Sequence, residues 1–103
     1  MSDQGWNELV SRIVGAVHPL QIILFGSSAR EGGGVRGDVD VLVVMPDGTP
    51  RRATAQKLHL EMFGLPFAVD ILVATPSDLQ RHRTNIGLIY KTILEEGKQL
   101  YAA

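Results

Sequence analysis

Apolar positions along the chain change period several times, and each change marks an element. Trp6, Leu9, Val10, Ile13, Val14 and Val17 recur at helical spacing up to Pro19, which predicts an amphipathic helix over Trp6 to Val17. Leu20 to Phe25 is a short continuous apolar run with paired isoleucines, bounded by Pro19 and Gly26, and reads as a buried strand. Ser27 to Glu31 suggests a short helical turn, and Gly32, Gly33, Gly34 and Gly37 predict a flexible loop up to Asp38. Val39 to Met45 is a valine-rich second strand closed by the turn signal Pro46, Asp47, Gly48. Pro50 to Phe63 carries Leu58, Met62 and Phe63 at helical spacing and stops at Gly64, and Phe67 to Ala74 repeats the strand character.

The strand, helix, strand series from Val39 to Ala74 implies a parallel pair joined by a right-handed crossover. The shorter link between the first two strands favours an antiparallel pair, so the sheet is expected to be mixed. Thr75, Pro76, Ser77 and Asp78 form a capping cluster before a short helix, with Thr75 or Ser77 as N-cap. Ile86, Ile89, Tyr90, Ile93 and Leu94 mark a last amphipathic helix ending at Gly97, after which Leu100 and Tyr101 fit a short edge strand. The expected class is therefore α/β, or α+β in some schemes: a small mixed sheet with helices packed mainly on one face.

The chain has 103 residues, enough for one modest core, so 1–103 is read as a single domain. A net charge of −1 provides no general field toward nucleic acid or anionic membrane, and no apolar run is long enough to span a bilayer. Cysteine is absent, which excludes disulfides, thiolate zinc sites and a cysteine nucleophile. The polar start, Met1 to Asn7, is unlike a signal peptide, and a cytoplasmic location is expected.

Three aspartates and a glycine–serine pair carry the candidate chemistry. Gly26 and Ser27 follow a buried strand, where free N–H groups and the missing side chain let a phosphate approach the backbone; alone, such a pair is usually just turn chemistry. Asp38 and Asp40 are two apart at the mouth of a strand and so point to one face. Adjacent carboxylates repel, and a shared divalent cation is one reason to hold them together; a loop cap at Asp38 with a solvent-facing Asp40 is the other reading. Asp70 interrupts an apolar strand from Phe67 to Val73, and joins the first two if the third strand lies beside the second. Three carboxylates facing a phosphate-binding turn suit a two-metal site that stabilises the attacking and leaving oxygens of an in-line displacement. An all-oxygen donor set selects Mg²⁺, with Mn²⁺ as a substitute. The isolated His18, His59 and His82 are given no role, and Arg81, His82 and Arg83 read as a solvated helix end.

Gly26-Ser27, ten residues, Asp38-Val39-Asp40-Val41-Leu42-Val43 and then Val69-Asp70-Ile71-Leu72 resemble the signature of the DNA polymerase beta-type nucleotidyltransferase superfamily. Within it the chain is most similar to the minimal nucleotidyltransferase group, through Ser28-Ala29-Arg30 and the stretch Ile89 to Gly97. The resemblance covers most of the chain. It implies that Gly26 and Ser27 hold the triphosphate of ATP or another nucleoside triphosphate, and that Asp38 and Asp40 bind both metals. It implies further that Asp70 binds the catalytic metal and favours deprotonation of the acceptor hydroxyl. Arg30 would neutralise a phosphate by bidentate donation, a solvated or sheet-anchoring arginine being the alternative. Ser28, Glu31 and Gly37 depart from the pattern, where relatives often carry a basic residue, a glycine and a serine.

The group also implies a partner, a helical HEPN-domain toxin that the transferase neutralises by attaching adenylate, commonly to tyrosine. Two other readings stand beside it: a non-catalytic antitoxin that masks its partner by contact, and transfer to a small molecule such as an aminoglycoside. The last lacks the second domain that grips such acceptors in larger relatives, a grip that homo-oligomerisation would have to supply.

Overall fold

The computed structural model describes residues 3–26, 39–81 and 85–103. Helix α1 spans Asp3–Val17, strand β1 Gln21–Phe25, strand β2 Val39–Val44 and helix α2 Arg51–Glu61. Strand β3 spans Val69–Ala74, helix α3 Pro76–Arg81, helix α4 Asn85–Glu96 and strand β4 Lys98–Ala102. Every expected element in the described residues is present, with ends shifted by a few residues. The turn expected over Ser27 to Glu31 and the glycine loop lie outside them.

The four strands form one sheet in the order β3-β2-β1-β4. β2 and β3 are parallel, as the crossover through α2 requires, while β1 is antiparallel to both β2 and β4. The mixed sheet agrees with expectation, but the helices do not gather mainly on one face. Alternation along the strands sends Ile22, Leu24, Val39, Val41, Val43, Val69 and Val73 to one side, where Trp6, Leu9 and Ile13 of α1 and Leu58 of α2 cover them. Ile23, Leu42, Val44 and Ala74 point to the other side, under Tyr90 and Ile93 of α4. Both faces of β2 are apolar, so both need a cover, and this divides the helices.

Two contacts fix how α1 and α2 meet. Trp6 packs edge-on against Phe67 with ring centroids 5.8 Å apart. Arg12 donates to the carbonyl of Glu61 at 2.9 Å and to that of Phe63, and pairs with Glu8 at 2.9 Å, so a guanidinium from α1 caps the C-terminal end of α2. That cap stops the helix at Glu61. Leu58 and Met62 are buried as their spacing predicts, whereas Phe63, beyond the helix end, is 76% exposed. Among the described residues no helix is long and apolar enough to cross a membrane.

Candidate functional site

Neighbouring strands β1, β2 and β3 bring three of the candidate residues to one end of the sheet. Asp40 lies opposite Phe25, the last residue of β1, in the antiparallel pair, and opposite Asp70 in the parallel pair. Register partners on adjacent strands share a face. Asp40 alternates with the buried Val39 and Val41, so it lies on the α4 side with Leu42 and Val44; Asp70 lies on that side with Leu72 and Ala74. The two carboxylates are thus immediate neighbours across two strands.

Gly26 completes the row. Its φ of +76° belongs to the left-handed region, which a residue with a side chain rarely adopts. A Cβ at Gly26 would lie 2.8 Å from Oδ2 of Asp40, closer than such atoms approach. Glycine is therefore required twice over, by conformation and by the carboxylate packed against it. Backbone at the end of β1 and the Asp40 carboxylate are held in contact, as a site that takes a phosphate against the chain needs.

Asp38, Ser27 and Arg30 lie outside the described residues, as do His82 and Arg83. Asp40 is half-buried and Asp70 exposed. The sequence led to a buried third strand in which a carboxylate would be costly; instead β3 is an edge strand, which relieves the burial cost. What singles Asp70 out is its register with Asp40. Among the described residues Asp70 makes no ion pair, and no cluster of three metal-ligating side chains forms there.

A second group of polar residues, unforeseen as a unit, sits at the opposite end of the sheet. Asp78 is buried; its Oδ2 accepts from the Thr75 N–H at 2.9 Å and from the Thr75 hydroxyl at 3.0 Å, and its Oδ1 pairs with Arg51 at 3.2 Å. The Asp78 N–H in turn donates to Thr75 Oγ1 at 3.2 Å, the reciprocal bonding of a capping box at the start of α3. Asp47 accepts from the Ser77 N–H at 3.0 Å, tying the turn after β2 to the same helix start. Thr75 is thus the N-cap. Burial raises the pKa of Tyr90, with the nearby Asp78 charge adding to it and Arg51 opposing it.

No curated protein matches the chain in sequence. Solved structures that share its fold include three from toxin–antitoxin systems. A chain of the toxin–antitoxin pair MntA–HepT is 21% identical, with 99% of this chain and 74% of that one aligned at a TM-score of 0.63. A chain of a toxin–antitoxin structure with AMP-PNP is 24% identical over 95% of this chain and 73% of its own, at a TM-score of 0.65. A chain from the complex of tri-AMPylated Shewanella oneidensis HEPN toxin with MNT antitoxin is 22% identical over 100% and 74%, at a TM-score of 0.64. Residues 6–102 match the nucleotidyltransferase domain family. The chain belongs to that family.

Proposed function

We propose that the protein transfers a nucleoside monophosphate, AMP from ATP, to a hydroxyl on a helical HEPN-type protein partner, with Asp38, Asp40 and Asp70 as the catalytic carboxylates. The observation that carries this reading is the row Gly26, Asp40, Asp70 across three adjacent strands. The AMP-PNP and tri-AMPylated toxin complexes among the structures of the same fold supply the nucleotide and the partner.

The donor set fits a hard divalent cation, Mg²⁺ or Mn²⁺. Asp40 and Asp70 offer only carboxylate oxygens, side by side, and Asp38 stands two residues before Asp40. Such ions, when bound, neutralise phosphate charge and stabilise the attacking and leaving oxygens. Gly26 lets the triphosphate approach the backbone next to Asp40, with Ser27 and Arg30 as further donors. Asp70, at the far end of the row, takes the proton of the acceptor hydroxyl. The acceptor oxygen then forms a bond to the α-phosphorus. The bond from that phosphorus to the oxygen bridging to the β-phosphate breaks, and pyrophosphate leaves with its electron pair.

Incubation with labelled ATP, Mg²⁺ and the protein encoded by the neighbouring reading frame should label that protein and raise its intact mass by one or more adenylates. A partner that binds tightly, is never labelled, and is suppressed equally well by Asp40→Asn would leave a masking module in place of an enzyme.

A further inference from the structure

The C-terminal end of α2 carries a surface that neither the core nor the transfer chemistry uses. Four large apolar side chains stand exposed among the described residues, and the two most exposed, Leu60 at 67% and Phe63 at 76%, are neighbours. The Phe63 N–H donates to the Leu60 carbonyl at 3.4 Å, so a single turn holds the pair together. Scattered apolar residues on a surface are ordinary; an adjacent pair beside a reactive group marks a contact.

That reactive group is Asp70. A groove of about 600 Å³ runs between α2 and β3, with Gln56, His59 and Leu60 on the helix wall and Val69, Asp70 and Ile71 on the strand wall. Whatever fills it lies against the carboxylate assigned to the acceptor. Val69 and Val73 are buried, so the strand wall offers side chains rather than a run of free backbone groups. An occupant recognised through side chains alone suits a helix, whose own backbone groups are paired internally.

Charge gives the surface a direction. Arg52, Gln56, His59 and Phe63 follow the four, three, four spacing of one helix face, and all four are exposed. Arg52 stands about three turns before Phe63, and it makes no ion pair among the described residues. The face is thus apolar next to Asp70 and cationic at its far end.

We propose that the acceptor protein docks on this face through an amphipathic helix that runs along α2, with apolar side chains on Leu60 and Phe63 and an acidic residue on Arg52. This rests on the transferase reading above and names the surface that holds its acceptor. Apolar contact supplies the affinity and the acid on Arg52 fixes which way the helix runs, which apolar contact alone leaves open. Docking there carries the partner's chain past Asp70, where its hydroxyl is held for in-line attack.

Calorimetric binding of the protein encoded by the neighbouring reading frame, measured beside its labelling with ATP and Mg²⁺, tests this. The double variant Leu60→Asp, Phe63→Asp should weaken binding by about a hundredfold or more and lower kcat/KM for labelling in step, while its Kd for ATP with Mg²⁺ stays at the wild-type value. Both side chains project into solvent, so circular dichroism should stay native. Arg52→Glu should cost about tenfold, less as salt rises, whereas Leu94→Asp, at the 43% exposed leucine of α4, should cost nothing. Wild-type binding or labelling by the double variant overturns the docking surface, as does an equal loss in Leu94→Asp. If the double variant instead dissociates a dimer of this chain and leaves the partner bound, the face belongs to a second copy and the proposal falls. No binding by the wild-type chain also sinks it. Binding that the double variant loses, with no labelling by any form, keeps the surface and sinks the transferase reading.

Discussion

The two ends of the sheet both carry aspartates and use them in opposite ways. At the β2–α3 end, Asp78 is buried, accepts two hydrogen bonds from Thr75 and faces Arg51, so its charge is consumed within the fold. At the other end, Asp40 and Asp70 stand side by side, with Gly26 pressed against the first and the second exposed. One arrangement ties its carboxylate into the fold; the other sets two carboxylates on one face, as the proposed cation site requires. Carboxylate count alone says nothing about function, whereas what surrounds each carboxylate separates an anchor from a site.

The sharpest way to break this comparison is to neutralise one aspartate at each end. Asp40→Asn or Asp70→Asn should lower nucleotidyl transfer by about 10²-fold or more while circular dichroism and melting temperature stay near wild type. A folded Asp40→Asn protein that transfers at the wild-type rate would move the site elsewhere. Asp78→Ala should do the reverse. It removes the returning half of the α3 capping box and leaves the Thr75 N–H buried without its acceptor, for a loss of roughly 2–3 kcal/mol by denaturant titration, the exposed end of Arg51 adding little. Transfer per folded molecule should remain. A loss of transfer disproportionate to unfolding would couple the two ends and undo the contrast.

Glycines sharpen it further. Gly26 and Gly48 both have positive φ, +76° and +91°, and stand at opposite ends of the sheet. Alanine at either costs about 1–2 kcal/mol of backbone strain. Only at Gly26 does the new methyl meet another group, the carboxylate oxygen of Asp40 at 2.8 Å, whereas nothing lies within 4 Å at Gly48. Gly48→Ala should therefore reduce stability alone. Gly26→Ala should also displace Asp40 and cut transfer by about tenfold, as a small misplacement at a reacting centre does. Equal transfer by the two variants, measured on the folded fraction, would show that the Gly26–Asp40 contact is not part of the site.

Local pattern reached most of this architecture. The helical spacing in α1, the valine run of β2 and the strand–helix–strand order were enough for a mixed sheet with β2 and β3 parallel. What local pattern could not reach is tertiary. The exact pairing of Asp40 with Asp70 depends on how the α2 crossover closes, and the outer position of β3, hence the exposure of Asp70, depends on the order of strands across the sheet. Arg12 stopping α2 short of Phe63 involves residues about fifty positions apart. Arg51 and Asp78 gave no motif because their meeting requires the β2–α2 turn and α3 to fold against each other. Helices on both faces follow from β2 being apolar on both sides, a signal present in Val39 to Val44 but outweighed by the expectation of a one-sided layer.

The smallest effect concerns Tyr90, which couples α4 to the Asp78 end. Burial raises its pKa above the ordinary value of about 10, and the negative charge of Asp78 raises it further against the opposing Arg51. The folded state therefore holds the phenol proton more tightly than the unfolded chain. Between the unfolded and folded pKa values the unfolded state binds fewer protons, so stability falls as pH rises. The contribution is fully present below about pH 10 and is lost as pH climbs through the raised folded value. Melting temperatures measured from pH 8 to 11 should fall at the alkaline end, and Tyr90→Phe, which keeps the ring in the core and has no proton to lose, should flatten that fall. At pH 7 the variant should shift stability by about 1 kcal/mol or less. Asp78→Asn should reduce the alkaline slope in part, because it removes the second cause and leaves burial in place. An alkaline slope unchanged in Tyr90→Phe would assign the loss to another group, and would leave Tyr90 as a packing residue with no electrostatic link to the anchored end of the sheet.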